Sequence, residues 1–124
     1  MTSGGGGDKL DLAWMEGRLD RSTTFEGHVR TQIAEVRPGH ASLFIEIEPF
    51  HLNGNGTLHG GVYATLIDNA MGFAVAALAR VRIATTQMNV HFLGPISSGR
   101  ITCTADVVHR TRRTATAAGH DTPL

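Results

Sequence analysis

A chain of 124 residues can hold one domain with a sizeable core and is too short for two. Its 11 basic and 11 acidic residues cancel, so no global field draws it to nucleic acid, and it has few aromatic rings to stack on bases. The single cysteine, Cys103, excludes an intrachain disulfide and fits a reducing, cytoplasmic setting.

In chain order, residues 1–7 include four consecutive glycines and are expected to form a disordered leader, with neither the apolar stretch nor the cleavage pattern of a secretion signal. Residues 8–124 are read as one domain. Asp8 to Leu19 places Leu12, Met15 and Leu19 at helical spacing with Trp14 beside them, a short amphipathic helix that packs on the main fold or covers a ligand tunnel. Val29, Thr31 and Ile33 alternate with polar or small neighbours from Gly27 to Arg37, predicting a strand. Pro38-Gly39 reads as a type II turn, and Ala41 to Glu48 returns with Leu43, Ile45 and Ile47 on one face. Two more strands are predicted, Ile83 to Leu93 and Arg100 to Arg110; Cys103 lies on the apolar face of the second as a small buried hydrophobe. Between hairpin and strands lies a glycine-rich loop that feeds an apolar run of helical length. The order favours an α+β layer, a long helix against an antiparallel sheet. The tail from Thr111 onward dissolves into small and polar residues, so 114–124 is expected to be irregular and to complete no sheet. The longest apolar segment, Ala70 to Leu78, falls short of the roughly 18–20 residues that span a bilayer, so no membrane association is expected.

The chemistry concentrates in Asn53 to Arg80. A loop that runs through His59-Gly60-Gly61 into a helix presents free backbone N–H groups at the positive dipole end, where an oxyanion is held. Asp68 is the one acid in the apolar run. It shares a strip with Gly61, Thr65 and Gly72 that faces a cleft or a partner, or else is the solvated side. Eight residues separate Gly60 from Asp68, about 12 Å at 1.5 Å per residue. One reacting carbonyl cannot touch both, so joint action requires Asp68 from a second chain and therefore a homodimer.

Asn53, the following loop, His59-Gly60-Gly61, Asp68 nine residues after the histidine, and Gln87-Met88-Asn89-Val90 through Gly94-Pro95 together resemble the signature of hotdog-fold acyl-CoA thioesterases of the phenylacetate-degradation type. The resemblance runs from about Gly27 to Thr114. It implies a hotdog fold, a long central helix on a curved antiparallel sheet, and an acyl- or aryl-CoA substrate cleaved to free acid and CoA by a homodimer or dimer of dimers. Carried over by position, the Gly60 N–H serves the oxyanion and Asp68 of the partner chain is the nucleophile or general base. Asn53 orients water or thioester, Thr85 supplies a hydroxyl near the reacting group, and His59 fixes the loop or acts directly. Gly61, Thr65 and Asn69 fall on the substrate-binding side. Arg110, Arg112 and Arg113 match a basic region that contacts coenzyme A phosphates, guanidinium being suited to that task, although a solvated strand end explains any one of them. Relatives of this kind continue past Thr114 into further strands, so truncated C-terminal strands are expected. The alternative is then a non-catalytic module that binds acyl-CoA or a partner chain.

No metal site is expected, since the seven histidines form no close ligand pair and no cysteine lies near His51 or His59. The glycines of the loop lack the spacing of a dinucleotide fingerprint. No cofactor is called for beyond coenzyme A as part of the substrate.

Overall fold

Where apolar and polar residues alternate most regularly, the chain builds the centre of a sheet. The computed structural model describes residues 12–80, 83–85, 87 and 95–123. Strands β1 (Gln32–Arg37), β2 (His40–Glu46), β3 (Arg100–Arg110) and β4 (Ala115–Pro123) form one antiparallel sheet in the order β1-β2-β3-β4. In β2, Ala41, Leu43 and Ile45 are fully buried; in β3, Ile101, Cys103 and Ala105 are. These two strands pair in unbroken register from His40↔Asp106 to Glu46↔Arg100, which brings both buried sets to one face. Each of the larger side chains contributes about 1.5–3 kcal/mol on burial. The Arg100 guanidinium meets Glu46 at the end of the ladder, with Nε donating to Oε1 at 2.6 Å.

That face is covered by α3 (Gly60–Ala79), with Leu66, Ala70, Phe73, Ala74, Ala76 and Ala77 turned inward. The alanines let the helix lie close to the strands. Gly39, in the turn between β1 and β2 at φ 80°, donates its N–H to Ala74 O at 3.1 Å and pins the hairpin to the helix. The helix ends at Arg80, left-handed at φ 62°, whose N–H bonds Ala76 O at 2.8 Å. Across an 18-residue window of its 20 residues α3 has a mean hydropathy of 1.5, and it is long and apolar enough to cross a membrane by length and composition. The helix is about twice as long as the Ala70 to Leu78 segment, so the expectation of an apolar stretch too short to span a bilayer is corrected. What places α3 in a folded layer is its packing against each of the four described strands.

Three expectations are corrected. The tail is not irregular: β4 pairs with β3 from Ile101↔Pro123 to Arg110↔Ala115, with one shift of register between Val107 and His109, and it packs against α3. The strand expected from Gly27 begins only at Gln32, because Phe25–His28 forms a helical turn, α2, capped by Thr24 Oγ1, which accepts the Gly27 N–H at 3.0 Å. The first helix, α1, is described over Leu12–Gly17; Met15 and Leu19 are buried, but Leu12 is exposed. The leader and most of the strand expected from Ile83 to Leu93 lie outside the described residues.

Candidate active site

The loop that enters α3 is built by its own polar side chains. Pro49–His51 makes a short 3-10 turn, and the His51 ring behind it is buried. Its Nδ1 accepts the Glu48 N–H at 2.9 Å, so its proton sits on Nε2, which donates to Val29 O at 2.6 Å. The His51 carbonyl accepts the His59 N–H at 2.9 Å. One histidine therefore ties the α2 region, the 3-10 turn and the start of α3 together. Asn53 does similar work: its Oδ1 accepts the N–H groups of Asn55 (2.9 Å) and Thr57 (3.2 Å), and its Nδ2 donates to Thr57 Oγ1 at 3.0 Å. Gly56, at φ 79°, closes this turn.

His59 is the N-cap of α3. Its Nδ1 accepts the Gly61 N–H at 2.8 Å and its carbonyl accepts the Val62 N–H at 2.9 Å. Neither acceptor takes the Gly60 N–H, which has no partner among the described residues and stands at the positive end of a 20-residue helix. The second glycine of the triplet also has a steric reason. A Cβ at position 61 would stand 2.9 Å from His59 Nδ1, so a side chain there would push the capping ring from its place.

Asp68 lies two turns further along, half-buried. Thr85, in the segment after α3, donates its hydroxyl to Asp68 Oδ1 at 2.6 Å, which fixes the carboxylate and leaves Oδ2 free of that bond. A cavity of about 250 Å³ opens beside the pair. One wall is α3 itself, through Asp68, Asn69, Gly72, Phe73 and Ala76. Trp14, Arg18 and Glu26 from the α1–α2 region also line the cavity, as do Ile83 and Thr85 from the segment after α3. Arg18 sits over the Trp14 ring at 5.0 Å from its centroid.

The structure thus brings together Asp68, Asn69 and Thr85. It does not bring Gly60, His59 or Asn53 to that cavity within one chain, and the Asn53 amide is turned into its own loop. Thr65 is half-buried with its hydroxyl donating to Gly61 O at 2.7 Å, and Gly61 is exposed beside the cap. Arg110, Arg112 and Arg113 are all exposed where β3 turns into β4, and none lines the cavity. Trp14 had been placed on a helix that packs or covers a tunnel; Arg18, Glu26 and Ile83 were not foreseen, since nothing in their spacing links them to Asp68. Among the described residues no three His, Cys, Asp or Glu side chains cluster as a metal site.

The thioesterase superfamily profile matches residues 55–120, more than half of the chain and all of the site-bearing helix. The chain belongs to the thioesterase superfamily. Human acyl-coenzyme A thioesterase 13 is 33% identical over 78 residues, which span 61% of this chain and 56% of the human protein. A mutant of phenylacetic acid degradation protein PaaI from Thermus thermophilus, with aspartate in place of one asparagine, superposes with a TM-score of 0.75 at 27% identity, covering 80% of this chain and 84% of that one. A Streptococcus pneumoniae thioesterase protein solved with coenzyme A superposes at 0.70 and 26% identity, over 75% and 73%. The hotdog architecture expected from the sequence is the one observed.

Proposed function

We propose that the protein hydrolyses the thioester of an acyl- or aryl-CoA, with a site completed by two chains. The observation that carries this reading is the Asp68 carboxylate held by Thr85 at the wall of a small cavity, on the same helix whose first N–H, at Gly60, has no partner among the described residues. The two groups are about 12 Å apart along the helix axis, so they act together only if two helices run antiparallel across a two-fold axis. The coenzyme A bound in the streptococcal relative and the acyl-CoA specificity in the human relative's name support the substrate class.

In this scheme the thioester oxygen accepts the Gly60 N–H of one chain, which stabilises the oxyanion as it forms. Asp68 of the other chain acts on the thioester carbon, either directly or by taking a proton from water. Thr85 holds Oδ1, so Oδ2 is the oxygen that reacts. A C–O bond forms and the C–S bond breaks; in the direct case water then cleaves the acyl–Asp68 anhydride and restores the carboxylate, and in either case a proton from water ends on the departing thiolate. No cofactor takes part; coenzyme A enters as the leaving group. His59 acts as the cap that frees Gly60 rather than as a base. The cytoplasm, where acyl-CoA is available and thiols stay reduced, is the proposed setting. The test is thiol release from a panel of CoA esters by the wild type and by Asp68→Ala. Release by the wild type that falls at least a hundredfold in the variant supports the reading; equal, slow release by both refutes it.

A further inference from the structure

Asn69 carries an unexplained polar group. Its Nδ2 is sealed from water and has no hydrogen-bond partner among the described residues, although neighbouring Asp68 is partnered by Thr85. A buried amide donor without a partner is destabilising, and asparagine is a poor residue for a helix interior. Stability therefore does not account for it. The same side chain lines the cavity beside the reacting carboxylate. The terminal torsion of asparagine is broad, so a small rotation turns Nδ2 from its sealed position toward an occupant that offers an acceptor.

We infer that Asn69 is a specificity-determining residue whose Nδ2 donates a hydrogen bond to an oxygen on the substrate's acyl group, so that the cavity selects oxygen-bearing acyl groups over plain hydrocarbon ones. This rests on the thioesterase reading for the identity of the occupant. The cavity's composition agrees with it. Phe73, Ile83 and Trp14 offer apolar contact, whereas Asn69, Arg18 and Glu26 would be left poorly matched by a bare alkyl chain. At about 250 Å³ the space lies just below the roughly 300–1,000 Å³ common for ligand sites, so the acyl group is small. In so small a space one unmet donor weighs heavily, because a site built to bond a polar group rejects the analogue that lacks it.

The experiment uses non-hydrolysable thioether analogues of two CoA esters that share a short acyl chain and differ by one hydroxyl near the thioester, titrated by calorimetry. The wild type is expected to bind the hydroxylated analogue about tenfold more tightly, one hydrogen bond's worth of discrimination. In Asn69→Leu the ratio collapses to about one, while the melting temperature stays level or rises. Equal binding of the two analogues by the wild type overturns the inference, as does failure of both to bind. An equal loss for both in Asn69→Leu also overturns it, since that marks a structural role. Thiol release from the matching esters is read separately. No hydrolysis with the binding preference intact would sink the thioesterase reading and leave the role of Asn69 standing.

Discussion

The Thr85 hydroxyl donates to Asp68 Oδ1 at 2.6 Å across 17 residues of sequence, and this one bond fixes the carboxylate while leaving Oδ2 free of it. Thr85→Val keeps the shape and removes the donor. Its kcat is expected to fall about 10–100-fold, with KM much less affected, because a mispositioned carboxylate costs more in the transition state than in binding. Thr85→Ser is expected to restore most of the rate. Steady-state kinetics on any hydrolysed ester checks both.

Capping by His59 separates the donors of the helix start. Gly61→Ala places a methyl group 2.9 Å from His59 Nδ1 and expels the ring. The lost cap is expected to lower stability by about 0.5–2 kcal/mol and to lower kcat as the loop before Gly60 loosens. His59→Ala is expected to do the same. His59→Asn, another good N-cap, is expected to recover the stability, which denaturant melts will show.

His51 is the buried post behind that loop. His51→Ala leaves the Glu48 N–H and the Val29 carbonyl without their partner and opens a void, and is expected to cost about 2–5 kcal/mol in urea unfolding.

Gly27 packs tightly in the α1–α2 region that supplies Trp14, Arg18 and Glu26 to the cavity. A Cβ there would lie 2.0 Å from Asp20 O, the same carbonyl that accepts the Thr24 N–H at 3.1 Å. Backbone cannot yield as a flexible side chain does, so Gly27→Ala is expected to shift α1 and α2. Trp14, Arg18 and Glu26 move with them. A change in Trp14 fluorescence and an altered ranking of acyl groups are the expected readouts, with the sheet intact by circular dichroism.

The central elements were legible because each has one buried face. Leu43 and Ile45 in β2 and Ile101 and Cys103 in β3 alternate, and Pro38-Gly39 marks the turn. By contrast, β4 was illegible for a physical reason: its residues are small, and its pairing with β3 is carried by backbone bonds rather than apolar volume. Gly119 sits opposite Ala105, where a Cβ would meet Ala105 Cβ at 3.2 Å and Thr104 O at 3.3 Å. Small residues there are a packing requirement, which periodicity does not register. α2 was hidden because Val29, Thr31 and Ile33 mimic a strand, while the cap at Thr24 and the close approach at Gly27 override the alternation. At the site, the glycines, His59 and Asp68 were readable from the junction. Thr85 came only from family resemblance, and the wall of Arg18 and Glu26 only from the fold.

The shared site is tested most directly by complementation between two inactive chains. Asp68→Asn removes the carboxylate. Gly60→Pro removes the donor and little else, because position 60 is the first helical residue, where proline is favoured, and His59 at ψ 135° is already in the conformation that precedes proline. Each variant alone is expected to be inactive. Unfolded and refolded together in equal amounts, they form mixed dimers in which one site regains both groups, so the mixture is expected to recover about a quarter of wild-type activity. No recovery from well-folded mixed dimers would contradict the account and place the whole site within a single chain.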